Sequence, residues 1–213
     1  MEIDESDKVL SHELFQGGDK EAYNMSTDIF VVDTPFLIAK LEEEAAKEEP
    51  RKLRYVLRDL AVAENAFAYE YTGYLSNIHS VKAYFDANLD MLESQKFYSL
   101  FAPNQKVYTK VKNEEPTYYA DSSEVKVSQF ASGSIVRGKV ENSVISRNVD
   151  LSEGSSVSHS ILFPRVKVAK GATVEYAIVD KGVEIAEGVT IRGTENNPVV
   201  IKKGSVVTED IVR

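Results

Sequence analysis

Side chains that could do chemistry are few and scattered in this sequence. It contains no Cys, which excludes disulfides and thiolate metal sites. Its three His, His12, His79 and His159, lie far apart without ligand spacing. A zinc centre gathers about four N, S or O ligands, so a His-based metal site is not expected. His159, between Ser158 and Ser160, is the single His of the second half. It is therefore the one candidate for a general base there, although a solvent-facing ring is the simpler expectation. Gly17-Gly18 could open a phosphate loop, but Asp19-Lys20 follow in place of a helix start. It reads as a turn.

Composition narrows the classes further. The 213 residues are 43% hydrophobic and 28% charged, as in ordinary globular proteins, and suffice for a sizeable core. The net charge is −9, and it is uneven. Residues 1–50 hold 14 acidic and 4 basic side chains, and the rest is close to balanced. An acidic chain without a basic stripe is a poor nucleic-acid binder; the excess reads as a solvated helix face. No apolar run approaches the roughly 18 residues of a membrane span. The start, MEIDESDKVL, lacks a signal pattern. A soluble, cytoplasmic protein is expected.

The elements begin with a repeat. From about residue 140 the chain repeats every 17 residues. Val149, Val166 and Val183 form one column; Leu151, Val168 and Ile185 the next; Gly154, Gly171 and Gly188 a third. Val140, Val157, Val174 and Ile191 form a fourth, and Val144, Ile161 and Ile178 a fifth. Helical solenoids need about 33 residues per unit. Short spacings of β-branched residues, with Gly where a turn needs positive φ, instead fit three short strands per coil. Residues 126–213 are thus expected to form a left-handed parallel β-helix with triangular coils. TENNP (194–198) breaks the period and should protrude as a loop at a corner.

The first half is mixed α/β. Residues 1–14 read as a hairpin with a polar turn at Asp4–Asp7. IFVV within 26–33 reads as a buried strand. Thr34-Pro35 should start a helix that ends at Pro50. A second helix is expected over about 55–65 and a half-buried strand over 67–75. Ser80 should cap a third helix, 81–93, and residues 95–125 should be extended. The opening in mid-hairpin makes the chain look like the C-terminal part of a longer protein, with Met1 an added or internal start.

DESDKVL (4–10), MSTDIFVVD (25–33), SVKAYFDANLDML (80–92) and VENSVISRNV (140–149) occur in this order. They resemble the bacterial glucose-1-phosphate adenylyltransferase family over nearly the whole chain. That resemblance implies three parts. Residues 1–95 would be the C-terminal remnant of a nucleotidyltransferase α/β domain, 96–125 an extended linker, and 126–213 the hexapeptide-type β-helix. Catalytic members carry a Glu-Lys pair where this chain has Leu14 and Phe15, and the Lys grips the sugar phosphate. An aromatic ring cannot neutralise a phosphate. They carry a carboxylate near the metal where this chain has Asn77, and an amide is a weaker Mg²⁺ ligand. Ser26 matches a Ser that contacts the glucose phosphate, and could also simply satisfy a strand-end backbone group.

The resemblance is strongest to the non-catalytic regulatory subunit of glycogen synthesis. It implies a catalytic glucose-1-phosphate adenylyltransferase subunit as partner, Mg²⁺ for the family reaction, and no cofactor in this chain. One competing expectation is an active adenylyltransferase whose chemistry lies in a missing half, with Lys8, Lys20 or Lys52 replacing the lost cation. Another is a hexapeptide-repeat acyltransferase using His159. Self-association through the β-helix is also expected, because SVISR (143–147) and SILFP (160–164) look apolar and exposed. The alternative is that the linker covers that face.

Overall fold

A computed structural model describes residues 1–13, 24–101 and 106–213. Two compact units divide the chain, Met1–Thr72 and Gly73–Arg213.

In the first unit the expected hairpin forms. Strands β1 (Glu2–Ile3) and β2 (Val9–Ser11) pair antiparallel. Asp4 shapes the turn: its Oδ1 accepts from the backbone N–H of Ser6 (2.8 Å) and Lys8 (3.0 Å) and from the Ser6 hydroxyl (2.7 Å). The Ser6 hydroxyl, ahead of the backbone donors, holds the Asp4 carboxyl below the usual range. Helix α1 (Thr34–Ala45) is capped by Asp33, one residue before the expected cap, whose Oδ1 accepts from Phe36 N–H. It stops well short of Pro50. Glu44, 5% exposed, binds the Arg51 backbone N–H (3.0 Å) and Nε (2.9 Å). That carboxylate folds the chain back into helix α2 (Leu53–Ala63). Arg51, then Lys47, keeps Glu44 ionised far below the usual carboxylate range.

Two expected strands are absent from this unit. IFVV pairs with nothing: Ile29 is 79% exposed and Val31 fully so. The stretch 67–75 makes only an isolated bridge, Lys8 with Phe67, and Tyr69 is 91% exposed. A strand exists only through a neighbour, and among the described residues no strand lies beside either segment. Apolar patterning marked segments suited to a sheet without guaranteeing the sheet.

In the second unit helix α3 (Val81–Leu89) begins at Ser80, whose Oγ accepts from Ala83 N–H (3.1 Å). A 3-10 turn, Asp90–Leu92, continues it. Helix α4 (Ser94–Leu100) follows, where extended chain was expected. Lys96 ties the two together, donating to Asp90 (2.7 Å) and Glu93 (2.8 Å), while Tyr74 O–H donates to the other Asp90 oxygen (2.9 Å).

The remainder is a parallel β-solenoid of three sheets with six, five and six strands. The first sheet runs Glu124–Lys126, Lys139–Glu141, Ser156–Ser158, Thr173–Glu175, Thr190–Arg192, Ile211–Val212. The second contains Val144–Ile145, Ile161–Leu162 and Ala177–Val179 between Gln129–Phe130 and Val199–Ile201. The third starts at Tyr118–Tyr119 and includes Lys167–Val168. The first solenoid strands thus lie ahead of residue 126, inside the expected linker.

Register explains the repeat. Ser156 pairs with Thr173 and Ile161 with Ile178, 17 residues apart. Glu124 pairs with Lys139 after 15 residues, so the early coil escapes a strict period. Ala177 pairs with Val199 after 22, and the excess holds the exposed 194–197 turn closed by Thr194 and Asn197. The loop expected at TENNP is there.

Inward-facing Val140, Val157, Val174 and Ile191, with Leu151, Val168 and Ile185, form the core, each at most 2% exposed. Gly154, Gly171 and Gly188 turn one corner at φ near +70°. Another corner turns left-handed without Gly, at Val127, Asn142, His159 and Tyr176, φ +40° to +48°. There Ser hydroxyls link the coils: Ser143 Oγ donates to Glu141 O and accepts from Ser160 N–H, and Ser160 Oγ donates to Ser158 O and accepts from Ala177 N–H.

One column departs from expectation. Val144, Ile161 and Ile178 face out of the coil; the inward residues of that sheet are Ile145, Leu162 and Val179. Ile161 and Ile178 are nonetheless buried, because Phe85 of α3 packs on them with Tyr84 and Leu89. The column stays aliphatic to seat a helix. The apolar SILFP face is accordingly covered within the chain, by α3 and not by the linker. Among the described residues, no helix is long and apolar enough to cross a membrane.

Candidate functional site

The positions that bear on catalysis fall in separate places. Ser26 lies in the first unit, half-buried in irregular chain. Its Oγ accepts from Asp28 N–H (3.3 Å), and Asp28 sits at φ +56°. The hydroxyl thus has a backbone partner in a turn, with no strand around it. Asn77 lies in the second unit, exposed just ahead of α3. Its carbonyl accepts from His79 N–H and from the His79 ring, both at 3.0 Å. Leu14, Phe15, Gly17, Gly18 and Lys20 lie outside the described residues. Lys8 sits beside the hairpin turn and Lys52 caps the start of α2.

A metal needs converging donors. Among the described residues no three His, Asp or Glu side chains are grouped to hold one. Asn77, with its exposed amide, does not fit the family Mg²⁺, so no step is routed through a metal here.

His159 does not face solvent as expected. Its ring is stacked on Tyr176 (4.8 Å between centroids, 15° between planes), and its Nε2 lies 3.3 Å from Asn142 Nδ2. Nδ1 is buried without a hydrogen-bond partner. The three residues occupy successive coils of the left-handed corner, so the ring is a layer in a stack. Sequence reasoning missed this column because its members, Asn, His and Tyr, share a backbone conformation and no chemistry. The 17-residue spacing from 142 to 159 to 176 was the available signal.

His12 was also passed over. It is half-buried in the first unit, and burial, then the chain's amino terminus, lowers its proton affinity. Its Nδ1 has no hydrogen-bond partner.

The arrangement therefore offers surfaces more than reacting groups. The second sheet carries α3, and the first presents charged and hydroxyl side chains outward from five successive strands.

Comparison with known proteins agrees with this division. The family model described as "GlmU-like, C-terminal hexapeptide" matches residues 111–208. Over 197 residues, 92% of this chain, the sequence is 34% identical to the "Glycogen biosynthesis protein GlgD" of Bacillus subtilis (strain 168). The chain belongs to the GlgD and glucose-1-phosphate adenylyltransferase family. A second GlgD, from Geobacillus stearothermophilus, is 53% identical over 127 residues, 60% of this chain. The "Glucose-1-phosphate adenylyltransferase" of Thermosipho africanus (strain TCF52B) is 28% identical over 134 residues, 62% of this chain. The matches span 55%, 37% and 32% of those three proteins, about half or less of each.

Proposed function

We propose that this chain is the assembly-bearing, non-catalytic part of a glycogen-biosynthesis subunit that works beside a catalytic glucose-1-phosphate adenylyltransferase. The observation that carries the reading is the likeness to GlgD over 92% of the chain. Residue chemistry supports it. Leu14 and Phe15 stand where a phosphate-gripping Glu-Lys pair belongs, and Asn77 where a carboxylate does. Ser26 is the sugar-phosphate position retained, with its hydroxyl already bonded to Asp28 N–H.

In this reading the reaction, and the Mg²⁺ it uses, belong to the catalytic partner. This chain contributes surfaces that hold and adjust that partner. The exposed Ile29, Val31 and Tyr69 suit packing against a further α/β segment such as the longer relatives have room for. The protein would act in the cytoplasm. An acyl-transfer role is disfavoured by the seating of His159, whose Nε2 faces Asn142 and whose Nδ1 is buried.

Micromolar chain supplied with ATP, glucose-1-phosphate and Mg²⁺ is expected to release no pyrophosphate above a buffer control. Release above that background, with ADP-glucose appearing in equal amount, would contradict the non-catalytic assignment.

A further inference from the structure

The first solenoid sheet shows outward pairs in five rows: Glu124 and Lys126, Lys139 and Glu141, Ser156 and Ser158, Thr173 and Glu175, Thr190 and Arg192. The residues between them point inward, as Val140, Val157, Val174 and Ile191 are buried. The upper two rows form a checkerboard. Glu124 stands over Lys139, bridged at 2.9 Å, and Lys126 over Glu141. Both bridged side chains remain more than half exposed. Below them the small Ser156 and Ser158 leave a shallow trough of about 230 Å³, lined also by those four charges.

We infer that this face pairs with the same face of a second copy, about a two-fold axis parallel to the solenoid axis. The inference rests on the reading above, that the solenoid is an assembly element, and names the face and partner. Such an axis sets the left member of each row opposite the right member of the same row. Glu124 then meets Lys126 of the second copy, and Lys139 meets its Glu141. Each contact occurs twice, as an isologous interface requires. Ser156 meets Ser158, and the trough closes on hydroxyl pairs.

The other two-fold arrangement runs across the strands and inverts the row order. It sets Lys126 against Arg192 and Glu141 against Glu175, two like-charge contacts made twice each. Charge therefore selects one orientation and opposes the other. Five strands at about 4.8 Å make a face roughly 20 Å long between outer rows. That is smaller than the ~800 Å² per partner of a standard interface, so the pairing is weak and salt-sensitive.

Two double variants test it. K126E/K139E makes the upper four positions all acidic; E124K/E141K makes them all basic. Sedimentation velocity at about 100 μM chain and about 0.02 M salt, where the Debye length is roughly 20 Å, should show the native chain dimerising. Either variant alone should remain monomeric. Mixed one to one they should form a heterodimer, about tenfold tighter than the native dimer. The mixing arm also shows that both variants fold. A native monomer under these conditions, variants that self-associate as the native chain does, or a mixture that stays monomeric would each overturn the assignment. Co-purification with a catalytic subunit is scored separately. Its failure would overturn the reading of function while leaving the dimer measurement standing.

Discussion

Val168→Asp is expected to abolish folding of the solenoid. Val168 is 1% exposed and stacks between Leu151 and Ile185 of the adjoining coils. Every polar group of its own strand is already committed to those neighbours, since Ser152 N–H donates to Val168 O and Ala169 N–H to Ile185 O. A carboxylate there finds no donor and no water. Burying it costs several kcal/mol, against a total stability of about 5–15 kcal/mol for an ordinary domain. The defect spreads, because each coil is held by the one above and the one below. Insoluble protein, or soluble protein without β-sheet circular dichroism, is the expected outcome. A soluble variant that melts at the native temperature would show that position 168 does not face the core.

The second large effect belongs to the helix seat. Phe85 is 1% exposed and fills the contact between α3 and the outward Ile161 and Ile178. Phe85→Ala removes a buried ring at about 3–5 kcal/mol. At 1.4 kcal/mol per factor of ten, roughly 3 kcal/mol raises the open population of α3 by about two orders of magnitude. The coil interior does not include Phe85, so the damage should be local. Limited proteolysis is expected to cut within 73–101 far faster than in the native chain while leaving residues 118–212 intact. Unchanged cleavage would mean that other contacts hold α3. Detachment would also expose Ile161 and Ile178, so the variant should aggregate on concentration.

These two residues also separate what sequence could and could not tell. Val168 was legible: five aliphatic or Gly columns at a 17-residue interval dictate stacked coils. Gly154, Gly171 and Gly188 turn a corner at φ near +70° as such a reading needs. Phe85 was not legible as a contact. Helix 81–93 was expected from Ser80 and its apolar spacing, but nothing in a linear pattern says which sheet a helix will cover. The column Val144, Ile161, Ile178 looked like one more core column because an aliphatic residue under a helix is the same letter as one inside a coil.

The first coil was missed for a related reason. Its partners are 15 residues apart, as Glu124 and Lys139 are, and Tyr118–Tyr119 carries aromatic residues where later coils carry aliphatic ones. The failed strands IFVV and 67–75 mark the opposite limit. Local pattern records suitability for a sheet, and pairing depends on a neighbour.

The candidate site was legible as chemistry that is missing. Phe15 and Asn77 were read from alignment of residue types alone, and the exposed Asn77 amide stands apart from any group of metal-binding side chains among the described residues. The stack Asn142–His159–Tyr176 was invisible to that reasoning, since only the shared left-handed corner relates its members.

The central claim is that this chain serves a catalytic subunit and does not do the chemistry itself. The most direct measurement is co-expression of the tagged chain with a catalytic glucose-1-phosphate adenylyltransferase, followed by affinity capture, size-exclusion chromatography and assay of ADP-glucose synthesis. Co-elution as a complex larger than either protein, with kcat or KM altered relative to the catalytic subunit alone, is the predicted result. Separate elution of the two proteins with unaltered kinetics would contradict it.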